Sequence, residues 1–313
     1  MQLLSELRYP TRWYSKLVVA LLAISFFTFL AAGLIAGYAV YSIIVLPAQK
    51  AEAINLDSFP GHPEDVAFDV ASIGPRDGWF FPGLKSAPTI VLCPGYRGSR
   101  EELLPLATAL QDHEYNVFLF DFDRHGTDRG YATFGFREIK ELRAAVAVVA
   151  GRADVDRSRF GLWGTNMGGY TAIAFAESDP RVQALAVESV YDRPQDMVQL
   201  LGSRYGLASL PLLRNFAENS FLLINYPDRK TPPLSARLFR LADVPKLFLE
   251  ATDEPGLMEP THQLFVASPE PKEEASLPQG NYAGMLDDEK RTYENRIVSF
   301  FLLNLAPEVR SRP

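Results

Sequence analysis

The sequence predicts an α/β fold: a mostly parallel sheet flanked by helices, preceded by one N-terminal transmembrane helix. Three observations predict it. Residues 17–46 are a continuous apolar run without a charge. Beyond residue 64, short apolar stretches of strand length alternate with segments of helical periodicity, the pattern of a parallel sheet with crossover helices. Midway, a strand at Arg159–Trp163 enters a turn flanked by glycines, and a small-residue helix at Gly169–Glu177 follows at once.

Taken in order, the first 16 residues carry Arg8, Arg12 and Lys16. The apolar run 17–46 would make a helix about 45 Å long, more than the roughly 30 Å hydrocarbon core needs. Lys50 is the only basic residue shortly after it, so the charge bias puts residues 1–16 in the cytoplasm and the rest of the chain on the extracytoplasmic side. Trp13 and Tyr14 suit one membrane interface, Tyr38 and Tyr41 the other. Gly33 and Gly37 stand at the spacing of a helix-pairing face, a candidate homodimer contact through the span. Residues 47–63 read as a Pro- and Gly-bearing linker.

A globular domain is expected over 64–306. Asp65–Ala71 alternates like a half-exposed strand, with Gly78–Pro82 as its hairpin partner. Thr89–Cys93 and Tyr115–Asp121 are continuous apolar runs, as in strands covered on both faces. Between them Ser99 and Glu102 form a capping box for a helix over Glu101–Asp112. Glu138–Val149 places Ile139, Leu142, Ala145, Val146 and Val149 on one helical face. Further strands are expected at Val182–Val187, Val244–Glu250 and Glu274–Leu277, and a closing helix at Glu289–Leu305. Residues 191–243 form a helical, proline-bearing insert, a candidate cap whose apolar residues serve packing equally well. Residues 307–313 are a tail.

With a net charge of −7 and no long basic run, nucleic acid is not expected as a partner. The single cysteine, Cys93, excludes an internal disulfide and any cysteine-based zinc or iron–sulfur site, and no motif calls for a cofactor or a metal.

The turn carries the chemistry. Gly164-Thr165-Asn166-Met167-Gly168 has the glycines of a nucleophile elbow, G-x-S-x-G, with asparagine at the centre. Asparagine tolerates the positive φ that such a turn imposes, but its carboxamide has no hydroxyl or thiol to deprotonate. Pro94–Gly98 leads from a central strand toward a helix and presents backbone N–H groups, a place to hold an oxyanion.

In this order the motifs resemble the α/β-hydrolase superfamily, most of all its esterase, lipase and serine-aminopeptidase-like branch. The residues carrying the resemblance are Pro94–Ser99, Asp121–Gly126, Phe134–Glu138, Gly164–Gly169, Ala251–Asp253 and the tail Tyr282–Leu286 with Tyr293–Phe301. The resemblance implies a Ser–His–acid relay. Its nucleophile position falls on Asn166, its acid on Asp253 with Glu188 as a second candidate, and its histidine slot on Tyr282. The oxyanion-hole donors would be the backbone N–H groups of Tyr96 and Met167. None of the four histidines, His62, His113, His125 and His262, has the chain position of the missing base. The expectation is a membrane-anchored, catalytically inactive member whose pocket serves as a binding or scaffolding module for a small-molecule or protein ligand. The alternative is an active serine-hydrolase-like ester, acyl or peptide hydrolase with a rearranged site that recruits His262, Cys93 or Ser189.

Overall fold

The computed structural model describes residues 12–46, 61–122, 130–203, 205–206 and 210–307. They fall into two compact units: residues up to Ile43 with Val198–Tyr226, and Ile44–Met197 with Pro227 onward.

A long helix, α1, runs over Trp13–Ile44, and its most apolar window has a mean hydropathy of 2.6. It is long and apolar enough to cross a membrane by length and composition. It starts four residues before the expected 17, because nothing in Trp13–Lys16 breaks a helix and Lys16 N–H already donates to Arg12 C=O at 3.1 Å. It stops two residues before the expected 46. Val45–Leu46 (β1) instead pair antiparallel with Gly130–Tyr131 (β6), and Ile44 C=O accepts from Ala132 N–H at 2.8 Å. The expected linker lies outside the described residues except for 61–63, and the tail does so beyond residue 307.

The insert expected over 191–243 is not one piece. Only Val198–Tyr226 gathers with α1. Its flanks belong to the second unit because they carry core anchors: Tyr191 stacks on Tyr170 with ring centroids 5.1 Å apart, and Leu234, Leu238 and Leu241 are fully buried.

The second unit is built on an eight-stranded sheet of order β10-β9-β8-β7-β4-β5-β3-β2. Its strands are β2 (Glu64–Val70), β3 (Gly74–Phe81), β4 (Thr89–Cys93), β5 (Asn116–Phe120), β7 (Phe160–Thr165), β8 (Val182–Glu188), β9 (Lys246–Ala251) and β10 (Lys272–Leu277). From β5 to β10 the pairs are parallel; β3 runs antiparallel to both β2 and β5. Every residue of β4 and β5 is buried, as their continuous apolar runs require. The expected hairpin forms with a β3 longer than Gly78–Pro82, and the last strand begins at Lys272 rather than Glu274.

Around the sheet lie α2 (Leu104–Gln111), α3 (Glu138–Ala150), α4 (Met167–Ala176), α7 (Pro255–Ala267) and α8 (Asp287–Asn304). Two further helices, α5 (Pro194–Ser203) and α6 (Pro211–Ile224), come from the insert. The capping box of Ser99 and Glu102 is present, opening a 3-10 turn over Arg100–Leu103 before α2. Among the core contacts, α8 sends Tyr293, Ile297 and Phe301 into one apolar cluster with Trp163 of β7 and Tyr115.

Candidate functional site: the elbow pocket

Strand β7 lies between β4 and β8, so its C-terminal end opens at the middle of the sheet edge where α/β proteins build their sites. There the chain turns into α4 through Asn166, held at φ 37° and ψ −101°. The glycines on either side are sterically required. A Cβ on Gly164 would lie 2.6 Å from the Gly168 backbone, and one on Gly168 would lie 2.1 Å from the Cys93 carbonyl oxygen. Strand, elbow and helix close on one another with no room for a side chain.

Asn166 faces the turn after β4. That turn is pinned from behind: Arg100 N–H donates to Asp121 Oδ1 at 2.8 Å, and its guanidinium donates to Asp77 at 2.6 Å and lies 4.2 Å over the Trp79 ring. The pinning presents Tyr96 N–H to the elbow. Asn166 Oδ1 accepts from Tyr96 N–H at 2.7 Å and from its neighbour Met167 N–H at 2.5 Å. Both partners are donors, which fixes the carboxamide oxygen, rather than its NH₂, at this point. The two N–H groups expected as an oxyanion hole therefore converge, and the side chain at the elbow fills the space they create.

The cavity in front of this arrangement measures about 290 Å³. Its walls include Tyr96, Arg97, Glu102, Asn166, Asn281 and Tyr282, so it is polar. Burial pushes the Glu102 carboxyl up, against the Ser99 N–H that favours the ionised form.

The acid and base positions hydrogen-bond to partners other than Asn166. Asp253 is exposed just past β9 and its Oδ1 accepts from Gly280 N–H at 2.9 Å, holding the β10–α8 loop. Tyr282 borders the cavity, yet it is 3% exposed and its hydroxyl donates to Glu294 Oε1 at 2.5 Å, not toward Asn166. Burial and the adjacent Glu294 carboxylate both push its phenol above the ordinary value, which removes it as a base near neutral pH.

The second candidate acid, Glu188, is fully buried at the end of β8. Its Oε2 accepts from Tyr293 O–H at 2.5 Å, and Trp163 Nε1 donates to the same Tyr293 oxygen at 2.9 Å. Burial pushes Glu188 up to about 8, the Tyr293 hydrogen bond acting in the opposite sense. This Trp163–Tyr293–Glu188 chain under the pocket was not readable in advance; Tyr293 stood in the tail motif without a role, and only the fold brings it to Glu188.

The histidines stay apart from the pocket. His113 Nδ1 contacts Ala109 C=O at its own helix end, and His62 lies before β2. His125 lies outside the described residues. His262 stands on α7 with Nδ1 3.0 Å from Glu250 and 2.8 Å from Glu274. The donor atoms of these three residues lie within 4.8 Å of one another, a grouping outside the elbow pocket. Among the described residues no histidine lines the cavity. Cys93 is fully buried with its thiol pushed up by desolvation, and Ser189 is 1% exposed with φ 50°. None of the three residues named for the rearranged-site alternative lines the cavity.

No protein-family profile matches the chain. It is similar to the uncharacterised protein YfhR of Escherichia coli O157:H7, 24% identical over 260 residues, covering 80% of this chain and 84% of YfhR. It is also 29% identical over 148 residues to the α/β hydrolase domain-containing protein WAV2 of Arabidopsis thaliana, covering 45% and 44% of the two chains. Among solved structures, an esterase of Pyrococcus furiosus, Pf2001, superposes with a TM-score of 0.64 at 21% identity, covering 84% of this chain and 98% of the esterase. The α/β hydrolase GrgF from Penicillium gives 0.59 at 19% identity over 79% of this chain and all of GrgF.

Proposed function

We propose, for a chain whose fold is that of the α/β-hydrolases, a binding or scaffolding role at a membrane in place of ester or peptide hydrolysis. The observation that carries this reading is the carboxamide of Asn166 in the oxyanion hole. An acyl substrate needs its carbonyl oxygen between Tyr96 N–H and Met167 N–H while a nucleophile attacks from the elbow. Here one side chain occupies both places: it satisfies the donors and offers no group to attack. The loss of a base at Tyr282 acts in the same direction. The polar cavity remains large enough for a small ligand or for a projecting side chain of a protein partner.

The anchor is α1. Residues 1–16 lie in the cytoplasm and the hydrolase-fold domain on the extracytoplasmic side, as the three basic residues before the span and the single Lys50 after it favour. Pairing of two spans has less to draw on, since Gly33 already faces Phe216 of its own chain.

The test uses the full chain in lipid nanodiscs, assayed on short-chain aryl esters and with a serine-directed fluorophosphonate. No turnover and no labelling are expected. Turnover at an enzymatic rate that disappears in Asn166→Ala would overturn the proposal. Protease protection in sealed vesicles tests the orientation: the domain is expected to be cleaved only from the extracytoplasmic face.

A further inference from the structure

The burial of α1 changes along its length. Leu17, Leu21, Leu22, Phe26, Phe27 and Leu30 are exposed, covering the helix on all sides. From Ala32 onward a stripe of Ala36, Ala39, Val40 and Ile43 is buried. The first part of the helix is therefore open to a bilayer on all sides, while beyond Ala32 only the face carrying Leu34, Ile35 and Tyr38 is exposed. Lys16 is the last charge before it, and Tyr14 and Tyr38 suit the two interfaces. Between those aromatics, residues 17–35 span about 28 Å at ~1.5 Å per residue, which fits a hydrocarbon core of about 30 Å.

This register fixes the depth at which the insert meets the span. The Phe216 ring of α6 packs edge-on against Phe29 with centroids 4.7 Å apart, and it is the nearest neighbour of Gly33. Phe29 and Gly33 lie within about 9 Å of the outer end of that stretch. The contact thus falls at the boundary between acyl chains and headgroups, the level at which amphipathic helices settle. Helix α6 has the composition for that place. Leu212, Phe216 and Leu223 recur at intervals of four and seven residues and share one face. Leu212 and Leu223 are exposed, Leu223 to 71%. Ala217 and Phe221, on another face, are buried in the protein, while Arg214 and Asn215 point elsewhere on the surface.

We propose that α6 is a second membrane contact, its Leu212–Phe216–Leu223 face entering the outer leaflet beside α1. The inference rests on α1 being a span. It explains why an exposed face carries large apolar side chains, whose transfer from water to lipid favours contact. The occupant of that face is lipid because the residue in its middle already touches the membrane-embedded stretch of α1.

The full chain is reconstituted in phosphatidylcholine–phosphatidylglycerol vesicles with an environment-sensitive thiol fluorophore on Leu223→Cys. Cys93 is buried and its thiol is held protonated, so it stays silent. Companion probes sit at Leu22→Cys in the span and at Arg214→Cys on the other side of α6. Lipids carrying a nitroxide quencher either near the glycerol or deep in the chain report depth. The expected result is a blue-shifted Leu223 probe, quenched more by the shallow nitroxide. The Leu22 probe should be quenched more by the deep one, and the Arg214 probe quenched least. A quenched Leu22 probe with a Leu223 probe no more quenched than Arg214 overturns the membrane contact of α6 and leaves the span intact. An unquenched Leu22 probe overturns the span and this inference with it.

Discussion

The pocket has two walls that are held in different ways. On the elbow wall, the backbone has the geometry of a nucleophile elbow: positive φ at Asn166, glycines at Gly164 and Gly168 that admit no Cβ, and two N–H groups aimed at one point. On the other wall, Gly280 is held by Asp253 from outside the lining, and Tyr282 turns its hydroxyl to Glu294. The first wall is set by backbone contacts, and the second by side-chain hydrogen bonds that lead away from Asn166. Backbone geometry is tied to close contacts between strand and helix that any change would break, whereas side-chain roles can be reassigned one residue at a time.

The comparison breaks first at Gly168. A methyl group there would press on the Cys93 and Pro94 carbonyls, so Gly168→Ala is expected to cost about 3 kcal/mol or to abolish folding, read by thermal unfolding. A variant within a few tenths of a kcal/mol of the parent would mean the elbow wall is not under steric constraint. Next comes Tyr293→Phe, which removes the acceptor of Trp163 Nε1 and the donor to Glu188. A loss of about 2 kcal/mol is expected in urea unfolding, since buried groups are left unpaired.

Glu188, in the chain under the pocket, adds a pH signature. Its carboxyl is raised to about 8 in the folded chain from an ordinary value of 4.5, so the folded state holds a proton that the unfolded state has released. Its contribution is fully present below about pH 4.5 and is lost as pH rises toward 8. Stability should fall across that window, and Glu188→Gln should flatten part of the slope. An unchanged slope would place the titration elsewhere.

Asn166→Ser sharpens the first wall. It releases Tyr96 N–H and Met167 N–H from the carboxamide, with an expected loss of about 1–2 kcal/mol. It should stay silent to fluorophosphonate, because no histidine among the described residues lines the cavity. Labelling would show that a base had been overlooked. The smallest effect is expected at Asp253→Asn: the amide oxygen can still accept from Gly280 at this exposed position, so stability should move by no more than about 0.5 kcal/mol. A large loss would give the carboxylate charge itself a role.

Much of this was legible in the sequence because it depends on neighbours along the chain. The glycine-flanked elbow, the capping box and the buried runs at Thr89–Cys93 and Tyr115–Asp121 are local patterns with local causes. What escaped depends on partners far away. Tyr293 meets Glu188 across 105 positions, and Tyr282 turns to Glu294 rather than to the elbow. Hydropathy could not tell α1 from β1 at Val45–Leu46, since both residues are apolar and the pairing with Gly130–Tyr131 decided it. The apolar content of residues 191–243 likewise did not reveal that its middle and its flanks belong to different units.

The carboxamide at the elbow has an evolutionary consequence. In the standard genetic code every asparagine codon is a single base from a serine codon, so the hydroxyl is always one mutation away. The two backbone donors that such a hydroxyl would meet come from the chain path and not from the carboxamide. Under the reading proposed above, a serine arriving alone would meet a cavity that no described histidine lines, and a histidine at position 282 would inherit the neighbourhood of Glu294. On that reading a hydroxyl at the elbow and a base beside it would have to arrive together, so one mutation in the codon is not one step in function.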